Sequence, residues 1–140
     1  MLVGTPSPDG HTEEELRNLE TIRRLRGVPA ARRREFMTRD VVIHRHGMAH
    51  LGALRGVGYD PDGIADRVDH IEDMVAKGDR VWAVWTIRGT HTGPLFGAAP
   101  TGRPLEVLEV GIWRLVDGKV AEAWFFADEY ALARALGITP

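Results

Sequence analysis

Asp128 closes a row of alternate residues, after Glu122, Trp124 and Phe126, that an extended chain carries on one face. A carboxylate at the end of an aromatic row has two candidate jobs. In solvent it caps the helix that follows, accepting a backbone N–H as the anion, which lowers its pKa. Against aromatic carbon its charged form loses hydration, its pKa rises, and it becomes a usable acid–base group. A free Asp, near ~3.9, is a feeble base for carbon acids and a poor acid at neutral pH. His91 and His44 are the candidates to donate to a substrate oxygen or to orient this carboxylate. His44 and His46 share a strand face at i, i+2, with His50 close by, and such a pair can chelate a metal. No third ligand is marked by spacing, so no metal is expected, and His44 is read as a polar group lining a pocket.

The elements that position these groups are legible from turn and period signals. Residues 80–89 and 105–116 read as long strands. The second turns at Asp117-Gly118 into a third strand, 119–127, because Asp-Gly tolerates the positive φ of a tight hairpin. A helix over 129–136 follows, with Leu132 and Leu136 one turn apart and Gly137 as its stop. Upstream, Thr12 and Glu15 form a capping-box pattern, Leu16, Leu19, Ile22 and Leu25 supply an apolar stripe, and Gly27 ends the helix. Pro29 opens a second short helix through Phe36 and Met37. Residues 41–46 read as a strand and 51–59 as a Gly-rich loop. Asp60-Pro61 reads as the start of a further helix, with Ile64, Val68 and Ile71 on one face; 72–77 would extend as a strand, turning at Gly78-Asp79.

Helices segregated onto one face of a curved antiparallel sheet give an α+β cone, a cystatin-like α+β barrel open at one end. Residues 1–11 form a flexible tail and 12–140 a single domain. On the strand at 80–89, Val81, Ala83, Trp85 and Ile87 oppose Trp82, Val84, Thr86 and Arg88, and both rows are largely apolar. One face is expected to cover a cavity. The other, with some of Trp82, Val84, Ile112 and Phe125, is expected to meet a second copy in a homodimer.

Composition removes whole classes of function. With no cysteine, disulfides, thiol catalysis and thiolate metal sites are excluded. No apolar run is long enough to cross a membrane, and no signal peptide opens the chain, so a cytoplasmic location is expected. A formal charge of −2 gives no general attraction to nucleic acid. The dense arginines Arg23, Arg24, Arg26, Arg32, Arg33, Arg34 and Arg39 read as solvated helix faces. Gly97–Gly102 lacks the Lys-Ser/Thr of a phosphate loop.

Several motifs together resemble the SnoaL-like family, small polyketide cyclases within the nuclear transport factor 2-like superfamily. They are Lys77-Gly78-Asp79-Arg80-Val81, Trp85-Thr86-Ile87-Arg88-Gly89-Thr90-His91-Thr92-Gly93, Thr101-Gly102-Arg103-Pro104 and Asp117-Gly118-Lys119-Val120, then Glu122, Trp124, Asp128 and Leu132 to Gly137. The resemblance implies that Asp128 is the acid–base group for an intramolecular aldol closure, removing a proton from carbon between two carbonyls. It also implies that neither metal nor cofactor is needed. His91 is the accompanying catalytic candidate, and His44, Trp85, Glu109, Trp113, Trp124 and Phe126 are the candidate substrate contacts. Glu109 stands where the family suggests a smaller residue. Facing inward, it would add a second carboxylate and suit hydration or epoxide opening. Three classes stay open: a cyclase or isomerase on a polyketide-like enolisable small molecule, a hydrolase-type enzyme with paired carboxylates, and a non-catalytic ligand-binding dimer, favoured if Asp128 is exposed and capping.

Overall fold

The computed structural model describes residues 10–45, 63–95 and 98–137. Helix α1, Glu13–Gly27, starts at the expected capping box: Thr12 Oγ1 accepts from the Glu15 N–H at 3.2 Å, and Glu15 Oε1 accepts from the Thr12 N–H at 2.8 Å. Glu15 Oε2 also accepts from the Gly78 N–H at 2.7 Å, which ties the helix start to a hairpin tip. The backbone amides of Thr12 and Gly78 hold the Glu15 carboxyl below its ordinary range. A 3-10 helix, Ala30–Phe36, follows Pro29 as expected, but Met37, expected to belong to it, begins the first strand instead.

Five strands form one sheet: β1 Met37–Arg45, β2 Ile64–Lys77, β3 Arg80–His91, β4 Pro104–Val116 and β5 Lys119–Ala127, closed by helix α2, Glu129–Ala135. The spatial order is β1-β5-β4-β3-β2. The β4–β5 hairpin turns at Asp117-Gly118, with φ of 49° and 77°, the positive values the sequence pattern requires. The fold is the α+β cone expected, but the sheet is mixed, because β1 runs parallel to β5.

Residues 64–71 are strand, not the expected helix. The β2 pairing with β3 slips by one residue between Ala65 and Val68 and again between Ile71 and Asp73, with Asp66 at φ 54° in the first irregularity. Each bulge inserts a residue and breaks the two-residue period, so a bulged strand imitates helical spacing of its apolar positions. His46, His50, the expected loop at 51–59 and the Asp60-Pro61 cap lie outside the described residues, as do residues 1–9. His11, assigned to the tail, is buried and accepts the Ala76 N–H on Nε2 at 3.2 Å.

The core fills the concave side of the sheet. Leu19, Ile22 and Leu25 of α1 and Leu132 and Leu136 at the closing helix join Trp85, Trp113 and Phe125 in it. Gly111 makes room for the two indoles: a Cβ there would lie 2.6 Å from Trp113 Cη2 and 2.8 Å from Trp85 Cη2. Among the described residues, no helix is long and apolar enough to cross a membrane.

Candidate functional site

Alternation along the strands sorts the expected site residues onto opposite faces. Trp85, Glu109 and Trp113 point to the concave face with Phe125 and are fully buried or nearly so. Trp85 and Trp113 tilt against each other at 5.5 Å, and Phe125 meets both edge-on at 6.2 and 5.8 Å. His44, Glu122, Trp124 and Phe126 occupy the other face. His44 stacks on Trp124 at 5.1 Å and bonds Glu122 through Nε2 at 2.7 Å, while Phe126 is 51% exposed. Phe125, expected among the apolar residues of that second face, is therefore on the cavity side. The row Glu122–Trp124–Phe126 does share one face, but not the face of Trp85 and Trp113.

Asp128 is exposed and caps α2, its Oδ1 accepting from the Ala131 N–H at 3.2 Å. His91 is fully buried elsewhere. The Thr101 N–H donates to its Nδ1 at 3.1 Å, so Nδ1 is the acceptor and the neutral ring carries its proton on Nε2, which is buried without a hydrogen-bond partner. The described structure does not bring Asp128 and His91 together.

What the concave face does assemble is a charged cavity of about 140 Å³ between α1, the 3-10 helix and the sheet. Leu25, Met37 and Phe125 supply apolar wall; Arg26, Arg33 and Glu109 supply charge. Glu109, 2% exposed, accepts from Arg45 Nη2 at 2.8 Å through Oε1, while its Oε2 is buried without a hydrogen-bond partner. Arg45 in turn lies 5.0 Å over the Phe125 ring, and Arg26 lies 4.4 Å over Trp85.

Behind this wall stands a second carboxylate, Asp69 on β2, its side chain 1% exposed. Three guanidiniums share it. Arg67 Nε reaches Oδ1 at 2.8 Å, Arg26 Nε reaches Oδ2 at 3.1 Å, and Arg33 Nη2 reaches Oδ2 at 3.4 Å. Burial pushes the Asp69 carboxyl up, but the hydrogen bonds and charges of Arg67 and Arg26 outweigh it and hold the group below its ordinary range. Burial, reinforced by the charges of Arg26 and Arg67, pulls Arg33 down to about 9, so it is still a cation at neutral pH.

Against the expectation of solvated helix faces, Arg26 and Arg33 are largely buried, whereas Arg23, Arg24, Arg32, Arg34 and Arg39 are exposed as expected. One signal was available for Arg26, which stands four residues after Ile22 and seven after Leu19 on the buried stripe of α1. Asp69 and Arg67 had none, since the helical assignment hid their common face. No group of side chains suited to a metal ion occurs among the described residues.

A family model described as SnoaL-like polyketide cyclase matches residues 31–136. Among solved structures, a candidate SnoaL-like polyketide cyclase from Jannaschia sp. CCS1 is 24% identical with a TM-score of 0.73, covering 93% of this chain and 98% of its own. IdmH, a candidate polyketide cyclase from Streptomyces antibioticus, is 28% identical with a TM-score of 0.66, covering 86% and 98%. AclR, a candidate hydroxylase from Streptomyces galilaeus, is 25% identical with a TM-score of 0.67, covering 89% and 85%. No protein of curated function matches this chain.

Proposed function

This chain belongs to the SnoaL-like polyketide cyclase family, and on that premise we propose that it is a small-molecule enzyme of the cyclase or isomerase type in which Glu109 moves the proton. The observation that carries the assignment is Glu109, which lines the cavity and whose Oε2 is buried without a hydrogen-bond partner. Arg45 holds the other oxygen and so fixes the direction of the reactive one. In an aldol closure Oε2 takes the proton from carbon between two carbonyls. The enolate carbon then bonds to a second carbonyl carbon of the same molecule, and the resulting alkoxide takes the proton back. Guanidiniums of Arg26 and Arg33 at the same wall supply charge where the enolate oxygen becomes anionic.

Family resemblance alone gives this role to Asp128. Among the described residues that carboxylate is exposed and caps α2, the outcome that on its own favours the non-catalytic ligand-binding reading, so the enzyme reading rests on Glu109 instead. Glu109 facing inward also suits a second reaction class, activation of water for epoxide opening. The deciding experiment is turnover of β-diketone and epoxide probes, run in ¹⁸O-water, by Glu109→Gln and Asp128→Asn. We expect Glu109→Gln to abolish conversion, Asp128→Asn to retain it, and cyclised product to carry no new oxygen. Loss of activity in Asp128→Asn alone would overturn the assignment, and ¹⁸O in the product would move it to the hydrolase class.

The half-exposed apolar face is the proposed interface with a second copy. Val42, Trp82, Leu108 and Phe126 are each between 46% and 51% exposed on it. A cytoplasmic location goes with this reading.

A further inference from the structure

We infer that the small molecule taken by this cavity carries a carboxylate, and that Arg33 is the side chain that reads it. The inference rests on the cavity being the substrate site, and it begins from how Asp69 is shared. A carboxylate offers about four lone-pair directions. Arg67 uses both oxygens, through Nε at 2.8 Å and Nη2 at 3.2 Å, and Arg26 sets Nε and Nη2 on Oδ2. Arg33 is left with one contact at 3.4 Å, the long limit of a hydrogen bond. Its Nε is buried without a partner. A cation that lines a cavity with a donor unfilled is the half of an ion pair whose other half arrives from outside.

The chemistry of the missing half follows from the walls. Guanidinium presents a planar fork that matches carboxylate bidentately, which is more than a point cation offers. Leu25, Ala30, Met37 and Phe125 line the same space, so the anionic group must belong to an organic body. At about 140 Å³ the space is in the class of a ~150 Å³ engineered cavity that holds benzene, one ring in size. A wider depression of about 550 Å³ shares Arg26, Ala30, Arg33 and Arg67 with it, so a longer substrate can continue past Arg33. Arg33 is also pulled down to about 9 by burial and by Arg26 and Arg67, a surplus of positive charge that an anion relieves.

Benzoate and benzamide, equal in shape and different in charge, are the probes. Calorimetry on the full chain at pH 7 should find benzoate bound at least about tenfold tighter, the scale of one charge-assisted hydrogen-bonded pair. Arg33→Met should bring the two within about twofold and Arg33→Lys should restore part of the preference, since the charge returns without the fork. Inorganic phosphate should not displace benzoate. Should Arg33→Met fail to fold, phenylglyoxal modification of the wild-type chain read by mass spectrometry decides: benzoate shields Arg33 and benzamide does not. Equal binding of the two probes, absence of binding by both, a preference untouched by Arg33→Met, or displacement by phosphate would each overturn the inference. Equilibrium binding also separates this inference from the proton-transfer assignment. A Glu109→Gln chain that keeps the benzoate preference but loses turnover supports both. Lost turnover without any wild-type preference sinks the carboxylate alone, and preference with turnover intact sinks only the role of Glu109.

Discussion

The two faces of one sheet invert the usual placement of charge and hydrocarbon. On the concave face, Asp69 and Glu109 are almost fully buried and held by guanidiniums that lie over aromatic rings. On the convex face, Trp82 and Phe126 stand half in solvent while Glu122 is bonded by His44 and Arg114 at the surface. Buried charge costs desolvation and is a weak source of stability, and exposed tryptophan contributes little until something covers it. Each face therefore keeps what an isolated fold would discard, and the partner proposed for each is different: a small anionic molecule inside, a second subunit outside.

The sharpest test of that contrast is Asp69→Asn. It leaves three guanidiniums around a neutral amide, and removal of one member of a buried ionic cluster costs about 3–5 kcal/mol. Urea denaturation should read a loss of that size, whereas Asp128→Asn should leave stability unchanged, since Asn is itself a good cap. If Asp69→Asn were equally harmless, the inner charges would not be a structural unit and the comparison would break. Next in size is Trp82→Glu on the convex face. Loss of a central aromatic anchor typically costs an interface about 2 kcal/mol or more. Sedimentation velocity at micromolar concentration should show a dimer become monomer while benzoate binding is unaltered. A wild-type monomer would remove the partner from that face.

The smallest effect is in acid. Hydrogen bonding from His44, with Arg114 adding to it, holds Glu122 below its ordinary 4.5, and Arg67 and Arg26 hold Asp69 below its ordinary 3.8 against the opposing effect of burial. For carboxyls lowered in the folded state, the unfolded chain takes up protons first. Their stabilisation is complete above those ordinary values and fades as pH falls through the lower folded ones. Glu122→Gln should flatten the loss of Tm that begins below 4.5 and leave the later loss due to Asp69 in place. A curve unchanged by Glu122→Gln would show that the surface pair contributes nothing measurable.

How much of this was legible in the sequence followed the range of the interactions. Thr12 with Glu15, Pro29 before its 3-10 helix and Asp117-Gly118 in its hairpin are local signals, and all appear where the residues indicated. The face of Asp128 was not decidable in the same way. Both rows of β3 are apolar, so period-two alternation defines two faces without naming which one is covered. Two bulges hid β2 behind a helical spacing, and with it the inward pair Arg67 and Asp69. Strand period alone leaves the direction of Glu109 open, and the position of α1 and the 3-10 helix over the sheet, a tertiary fact, is what forms the cavity beside it.

One contact has a bearing on how this molecule opens and closes as a whole. The two oxygens of Glu15 serve amides 63 residues apart in Gly78 and three residues apart in Thr12. Asn18, one turn further along α1, donates to the Gly78 carbonyl at 3.4 Å. Fraying of the first helical turn therefore also breaks hydrogen bonds that hold the β2–β3 tip. The first turn of α1, a kind of segment that ordinarily breathes independently, is tied to the hairpin of the sheet it packs on.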